Sequence, residues 1–121
     1  LENSLGGEIF VPKIPSYRVV DVAEAIAPSC KKEFIGIRPG EKVHEEMITS
    51  ADSFNTYDLG KYFIILSSSS NVLEKLKTNQ ISYHKVPDNF SYNSGSNSHF
   101  LTVEEIRKLI KKNLDPEFKP F

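Results

Sequence analysis

The most constraining stretch of the chain runs from Glu8 to Ile37, where a strand pattern gives way to a helix pattern and then returns. EIFVPK, Glu8 to Lys13, is β-branched and aromatic and reads as a strand. Pro12 has no N–H to donate to a ladder, so the strand ends there or lies at a sheet edge. In the following IPSYRVVDVAEAIAP, Val19, Val22, Ala23 and Ile26 recur at helical spacing. That helix starts between Ser16 and Val20, and Pro28 closes it. EFIGI, Glu33 to Ile37, reads as a second strand. Strand, helix and strand in this order make half of an α/β unit, with Glu8–Val11 and Glu33–Ile37 expected to complete a larger sheet.

Beyond Ile37 the signals thin out. KVHEEMI reads as a short helix ending near Ile48. Tyr62–Leu66 is a clear strand, Asn55–Leu59 a weaker one, and Gly60-Lys61 a hairpin turn between them. The serines at 67 to 70 have a surface-loop composition, and residues 67–89 read as an irregular connection with one helical turn. The last element is the best marked. Thr102 followed by Glu105 forms a capping box, and Val103, Ile106, Leu109, Ile110 and Leu114 line one face. Glu104 and Glu105 complement one end of the helix dipole, and Lys111 and Lys112 the other; the basic residues are expected on a solvated face. The terminal DPEFKPF reads as a loose or docking tail. The chain therefore divides into 1–66, 67–89 and 90–121 within one segment.

Charge and composition exclude several classes of function. The 121 residues suit a single domain, and 15 basic against 16 acidic side chains leave a net charge of −1. Such a balance offers no global field for nucleic acid or an anionic membrane. No apolar run approaches the ~20 residues of a membrane span, and no signal peptide is evident, so the cytoplasm is the expected location. Cys30 has no internal partner and reads as a small, semi-buried residue after a helix. The three histidines have no ligand spacing, and HEE at 44–46 lacks the second histidine of a zinc helix. No nucleophile elbow, phosphate loop or dinucleotide glycine motif is present. The opening LENSLGG reads as the tail of a helix, and both ends look cut.

One segment, GIRPGEKVHEEM, is built to present side chains. Pro and Gly at the centre of RPGE are a type II turn signature, which brings the α-carbons of Arg38 and Glu41 within ~7 Å. A guanidinium offers planar forked donors for phosphate oxygens. A carboxylate accepts two hydroxyl hydrogen bonds, as from a ribose diol. The alternative is that the two side chains only pair with each other, worth ~0 to 1 kcal/mol at a surface. Spacing alone favours that alternative. Lys42 and His44 follow in the same segment and would add positive charge. FSYNSGSNSHFLT, 90 to 102, reads either as a loop of local turns or as a flap whose Tyr92, Asn93 or Ser94 reaches a ligand or another subunit.

GGEIFVPKIPS, the amphipathic helix after it, GIRPGEKVHEEMI, and YNS before the last helix closely resemble the C-terminal part of inverting UDP-N-acetylglucosamine 4,6-dehydratases. The resemblance covers 6–66 and 90–112. These are extended short-chain dehydrogenase/reductase enzymes of bacterial surface-sugar and flagellin-glycan synthesis. The resemblance implies an α/β fold, here the C-terminal substrate-binding segment, with the Rossmann core absent from this chain. It implies that Arg38 contacts the nucleotide diphosphate and Glu41 the ribose. It also points to Lys42, His44, Lys13 of FVPK, and Tyr92 as substrate-binding candidates. The parent's NADP loop, its Thr-Asp-Lys segment and its Tyr-x-x-x-Lys pair match nothing here. No catalytic or cofactor residue is therefore expected in the chain. Expected partners are a UDP-sugar, an N-terminal Rossmann domain in cis or trans, and further copies of the parent enzyme. A stand-alone, non-catalytic nucleotide-sugar binding or assembly module is the rival expectation.

Overall fold

The computed structural model describes residues 7–67 and 71–121. The expected helix tail at the start and the serines at 68–70 lie outside the described residues. The fold is mixed α/β. In chain order its elements are β1 (Ile9–Pro12), α1 (Val19–Ile26), β2 (Glu46–Ile48), β3 (Thr56–Asp58), β4 (Tyr62–Ile65), α2 (Val72–Thr78), β5 (His84–Lys85), β6 (Tyr92–Asn93) and α3 (Val103–Asn113). A 3-10 turn at Asp52–Asn55 precedes β3. The contacts fall into two units, one of Leu1–Ile14 and Glu46–Asn93, the other of Pro15–Glu45 and Ser94–Phe121.

The first unit is a four-stranded sheet in the order β1-β4-β3-β5, antiparallel throughout, beside the two-stranded pair β2-β6. Successive residues of a strand face opposite sides. In β4, Phe63 packs with Val11, Ile48 and Val86, while Ile64 joins Leu66 and the α2 residues Val72 and Leu76. This strand is apolar without alternation because both its faces are covered. Pro12 ends β1 at the sheet edge, where it pairs with Tyr62, and the next N–H, of Lys13, donates to the Lys61 carbonyl. The β3–β4 hairpin closes through the Leu59 N–H donating to the Tyr62 carbonyl, with Gly60 at φ 85°. Both features follow the sequence reading.

Two expected elements do not form. Glu33–Ile37 carries no ladder pairing among the described residues, and Phe34 and Ile35 are 83% and 76% exposed. Gly36, at φ 83°, takes the chain out of the extended region in the middle of the run. The glycine's conformational freedom thus outweighs the β-rich composition of the run. KVHEEMI likewise does not become a helix; its second half is β2, paired with β6. Seven residues make too short a helix to persist by propensity alone, and burying Ile48 completely in the sheet core decides the outcome.

The second unit centres on α1 and α3, with Ala25 and Ile106 buried. Thr102 accepts from the Glu105 N–H, and the Thr102 N–H donates to Glu105 Oε2 at 2.8 Å, completing the expected capping box. Arg107 departs from the expected solvated face. Its Nε donates to the Ala25 carbonyl at 3.1 Å and its second terminal nitrogen to the Glu24 carbonyl at 3.2 Å. It thereby satisfies acceptors that the last turn of α1 leaves open. The tail docks by its backbone: the Phe121 N–H donates to the Ile26 carbonyl. Cys30, expected to be semi-buried, is instead exposed, on the loop that follows the end of the helix at Ala27.

Two changes test the second unit. Thr102→Ala should lower stability by about 1 kcal/mol, read as a fall in melting temperature. The Thr102 backbone N–H, then its hydroxyl, holds the Glu105 carboxyl below its ordinary pKa. A depressed carboxyl stabilises the fold above its unfolded pKa, and that stabilisation is lost as pH falls through the lower folded value. Helicity should therefore decline on acidification across the glutamate range, and Glu105→Gln should remove that component. An unchanged acid profile in the glutamine variant would contradict this assignment.

Candidate functional site

The Arg38–Glu41 turn forms as the sequence predicts. The Glu41 N–H donates to the Arg38 carbonyl at 3.0 Å, and Gly40 takes the positive φ, 87°, that a type II turn requires of its third residue. A second bond closes the turn from the other side: the Arg38 N–H donates to Glu41 Oε2 at 2.9 Å. Between the side chains only a loose contact remains, Arg38 Nε to Glu41 Oε1 at 3.9 Å. The Arg38 side chain is 74% exposed. Glu41 is thus fixed by the backbone of the residue it was expected to work beside, while the guanidinium fork stays open to an oxyanion.

Lys42 and His44 continue from the turn, both exposed. The next residue, Glu45, is tied down. Its N–H donates to Ser94 Oγ at 3.0 Å, and the Ser94 N–H returns the bond to the Glu45 carbonyl at 2.8 Å. The loop that carries Ser94 is held as well. Asn97 donates to Ser16 Oγ, and a parallel bridge joins Ser16 to Phe100. Of the loop's serines and asparagines, Ser94 and Asn97 fasten to distant residues, while Asn93 donates to Ser91 and Asn97 accepts from the His99 N–H as the local-turn reading expects.

Lys13 and Tyr92 lie in the first unit and come together around Phe63. The Lys13 ammonium is 2.7 Å from both Asp58 carboxylate oxygens and 4.5 Å from the Phe63 ring centroid. The Tyr92 ring meets the Phe63 ring at 5.2 Å between centroids, tilted by 54°. The Tyr92 hydroxyl donates to the Ile14 carbonyl at 2.7 Å and accepts from the Ile14 N–H at 2.9 Å. The end of FVPK is therefore pinned at Lys13 by its side chain and at the next residue, Ile14, by its backbone. Arg38, Glu41, Lys42 and His44 belong to the second unit.

Sequence reasoning missed Asp58 and the Ser94–Glu45 pair. Asp58 had only one signal, the Gly60 turn two residues on, whose N–H donates to Asp58 Oδ1 at 2.7 Å. Its partner Lys13 lies 45 positions away, which no local pattern reveals. Among the described residues no group of three or more His, Cys, Asp or Glu is placed to hold a metal ion. Nor is any described helix long and apolar enough to cross a membrane. Among the described residues no glycine opens a helix. A dinucleotide cradle needs such glycines, whereas Gly40 and Gly60 sit at turns, Gly36 lies in an irregular segment and α3 is opened by Thr102.

Comparison with known proteins finds several relatives. A family model described as "Polysaccharide biosynthesis protein" matches residues 1–67. The UDP-N-acetylglucosamine 4,6-dehydratase (inverting) of Campylobacter jejuni subsp. jejuni serotype O:2 is 42% identical over 114 residues, covering 90% of this chain and 34% of the relative. Its counterpart from serotype O:23/36 is 40% identical over 114 residues with the same coverage. The X-ray structure of Pen from Bacillus thuringiensis superposes with a TM-score of 0.67 at 30% identity, over 88% of this chain and 32% of that one. The chain spans about a third of the length of these relatives.

The Lys13–Asp58 pair carries its own test. Partial burial pushes the Asp58 carboxyl up, but the Lys13 hydrogen bond and charge and the Gly60 N–H outweigh it, leaving the pKa below the ordinary aspartate value. Its stabilisation is accordingly present above the unfolded pKa and lost as pH falls through the folded one. An NMR titration of the Gly60 amide should show a midpoint below the ordinary aspartate value, and Asp58→Asn should abolish it. A midpoint at or above that value would remove Lys13 as the carboxylate's partner.

Proposed function

The chain belongs to the polysaccharide biosynthesis protein family, and from that footing we propose that it is the UDP-sugar-binding part of a nucleotide-sugar 4,6-dehydratase acting on UDP-N-acetylglucosamine. The carrying observation is the Arg38–Glu41 turn: a closed backbone loop with an open guanidinium on one side and an oriented carboxylate on the other. Arg38 takes the diphosphate oxygens by charge-assisted, forked hydrogen bonds. Glu41 takes the ribose hydroxyls. Lys42 and His44, on the same exposed segment, are further substrate-binding candidates, with Lys42 adding positive charge. Lys13 and Tyr92 belong to the reading as the residues that set the FVPK segment, from which a substrate contact is made.

In this reading the chain contributes binding energy and orientation, and the parent enzyme's remaining residues contribute the chemistry. Hydride and proton transfer during dehydration need a nicotinamide dinucleotide and an activated tyrosine, which are assigned to that remainder. The apolar side chains of Phe34, Ile35 and Ile37, 83%, 76% and 64% exposed, support dependence on a covering partner over a stand-alone module. The N-terminal domain of the parent is the proposed cover, in cis or in trans.

Two measurements examine the proposal. In the full-length dehydratase, Arg38→Ala should weaken UDP binding by about ten- to a hundredfold, the loss of a charge-assisted hydrogen bond worth roughly 1.5–3 kcal/mol, with the melting temperature unchanged. Unaltered affinity in that variant would defeat the reading. Calorimetry of UDP with the 121-residue chain alone should give no measurable heat. Tight binding there would instead identify an autonomous nucleotide-sugar binding module.

A further inference from the structure

Gly95 sets the problem. Gly7, Gly36, Gly40 and Gly60 all occupy positive φ, where glycine is the natural choice. Gly95 does not, so its backbone makes no such demand. Space does. A Cβ at residue 95 would stand 2.7 Å from Cγ, Cδ2 and Cε1 of His44 alike, closer than real Cβ contacts come. Three atoms spread around the ring at one distance mean that the imidazole presents its face to the glycine. Ser94, immediately before, exchanges two hydrogen bonds with Glu45, immediately after His44. Two adjacent residues of one segment thus grip two adjacent residues of the other.

We infer that Gly95 is a seat for the His44 imidazole, and that this seat positions the arm behind the Arg38–Glu41 turn for nucleotide-sugar binding. The inference rests on the binding role proposed above and assigns His44 a positioning function within it. His44 lies three residues beyond Glu41, so the seat holds the Glu41 α-carbon within ~11 Å at full extension. The intervening Lys42 and Val43 are exposed, and Val43 is 70% so. Packing of their side chains therefore does little to fix the arm, and the Ser94–Gly95 grip supplies the restraint. Any side chain at residue 95 lifts the ring and loosens the turn's mooring without touching the ligand.

The geometry is tested first on the chain itself. A glycine under an aromatic face has its Hα resonances shifted upfield, so the Gly95 Hα signals should be upfield and His44→Ala should return them to ordinary values. Ordinary shifts in the unsubstituted chain would overturn the seat. The function is tested in the full-length enzyme by UDP titration and steady-state kinetics. Gly95→Ala should weaken UDP binding and raise KM by about ten- to a hundredfold with kcat much less affected. His44→Ala should weaken binding similarly, and His44→Ala/Gly95→Ala should be no worse than His44→Ala alone, because the clash has gone. Additive losses in the double variant would overturn the inference. Arg38→Ala separates the two failures: if it weakens UDP binding while Gly95→Ala does not, the seat fails and the binding role stands; if Arg38→Ala has no effect, the binding role itself fails.

Discussion

Phe63 and Ile64 are neighbours in the chain and face opposite ways, and each needs a covering layer. The strand that holds them, β4, lies between β1 and β3, so its backbone groups are committed to both sides as well. On one face Val11, Ile48 and Val86 close over Phe63; on the other α2 closes over Ile64. A fully buried branched side chain contributes about 1.5–3 kcal/mol relative to exposure, so this strand concentrates much of what the first unit gains on folding. The positions of the other elements follow. β2 is a strand because Ile48 must reach the Phe63 face, and Tyr92 in β6 flanks the same ring. Lys13 stands at the edge of that cluster, its ammonium over Phe63 and its charge on Asp58.

The second unit is held by different means. With Ala25 and Ile106 as its buried apolar contacts, it has a small core and relies on polar closures at element ends. Arg107 caps α1, Thr102 and Glu105 cap α3, and the Phe121 backbone docks at the end of α1. Each closure satisfies groups that a helix terminus leaves open, and such groups are costly only when water cannot reach them. The turn and its arm belong to this unit, so the candidate site sits on polar fastening, with Ser94 and Glu45 as its nearest point.

What the sequence made legible was local. Pro12 as an edge terminator, the Gly60 hairpin, the RPGE turn and the Thr102–Glu105 box each depend on residues within a few positions of one another, and each formed. The errors came where distant residues decide. KVHEEMI reads as a short helix, but Ile48 is claimed by a core assembled from three other segments. EFIGI has strand composition, yet Gly36 and the lack of a pairing neighbour leave it without a ladder. Arg107 looked like one more solvated cation, because its acceptors lie more than eighty positions upstream. At the RPGE turn the backbone bend was readable and the mooring of the arm behind it was not. Nothing in the spacing of His44 or Gly95 announces that one rests on the other.

Pairing and ligand binding are not exclusive for Arg38 and Glu41, because the geometry lets one serve the other. An ionised carboxylate has about four acceptor positions, and the Arg38 N–H occupies one of them. The remaining acceptor capacity stays oriented, because a carboxylate held by a backbone N–H cannot swing away as a free glutamate would. The guanidinium, 3.9 Å off at Nε, spends little of its donor set on the same partner. A cis-diol and a phosphate oxygen would therefore meet groups whose conformational freedom has already been reduced, which lowers the entropic cost of capture. Replacing Glu41 by a residue that cannot accept the Arg38 N–H would remove a ligand contact and unlatch the turn together, so its effect cannot be assigned to either alone. Arg38 is the cleaner probe, since its backbone closes the turn whatever its side chain does.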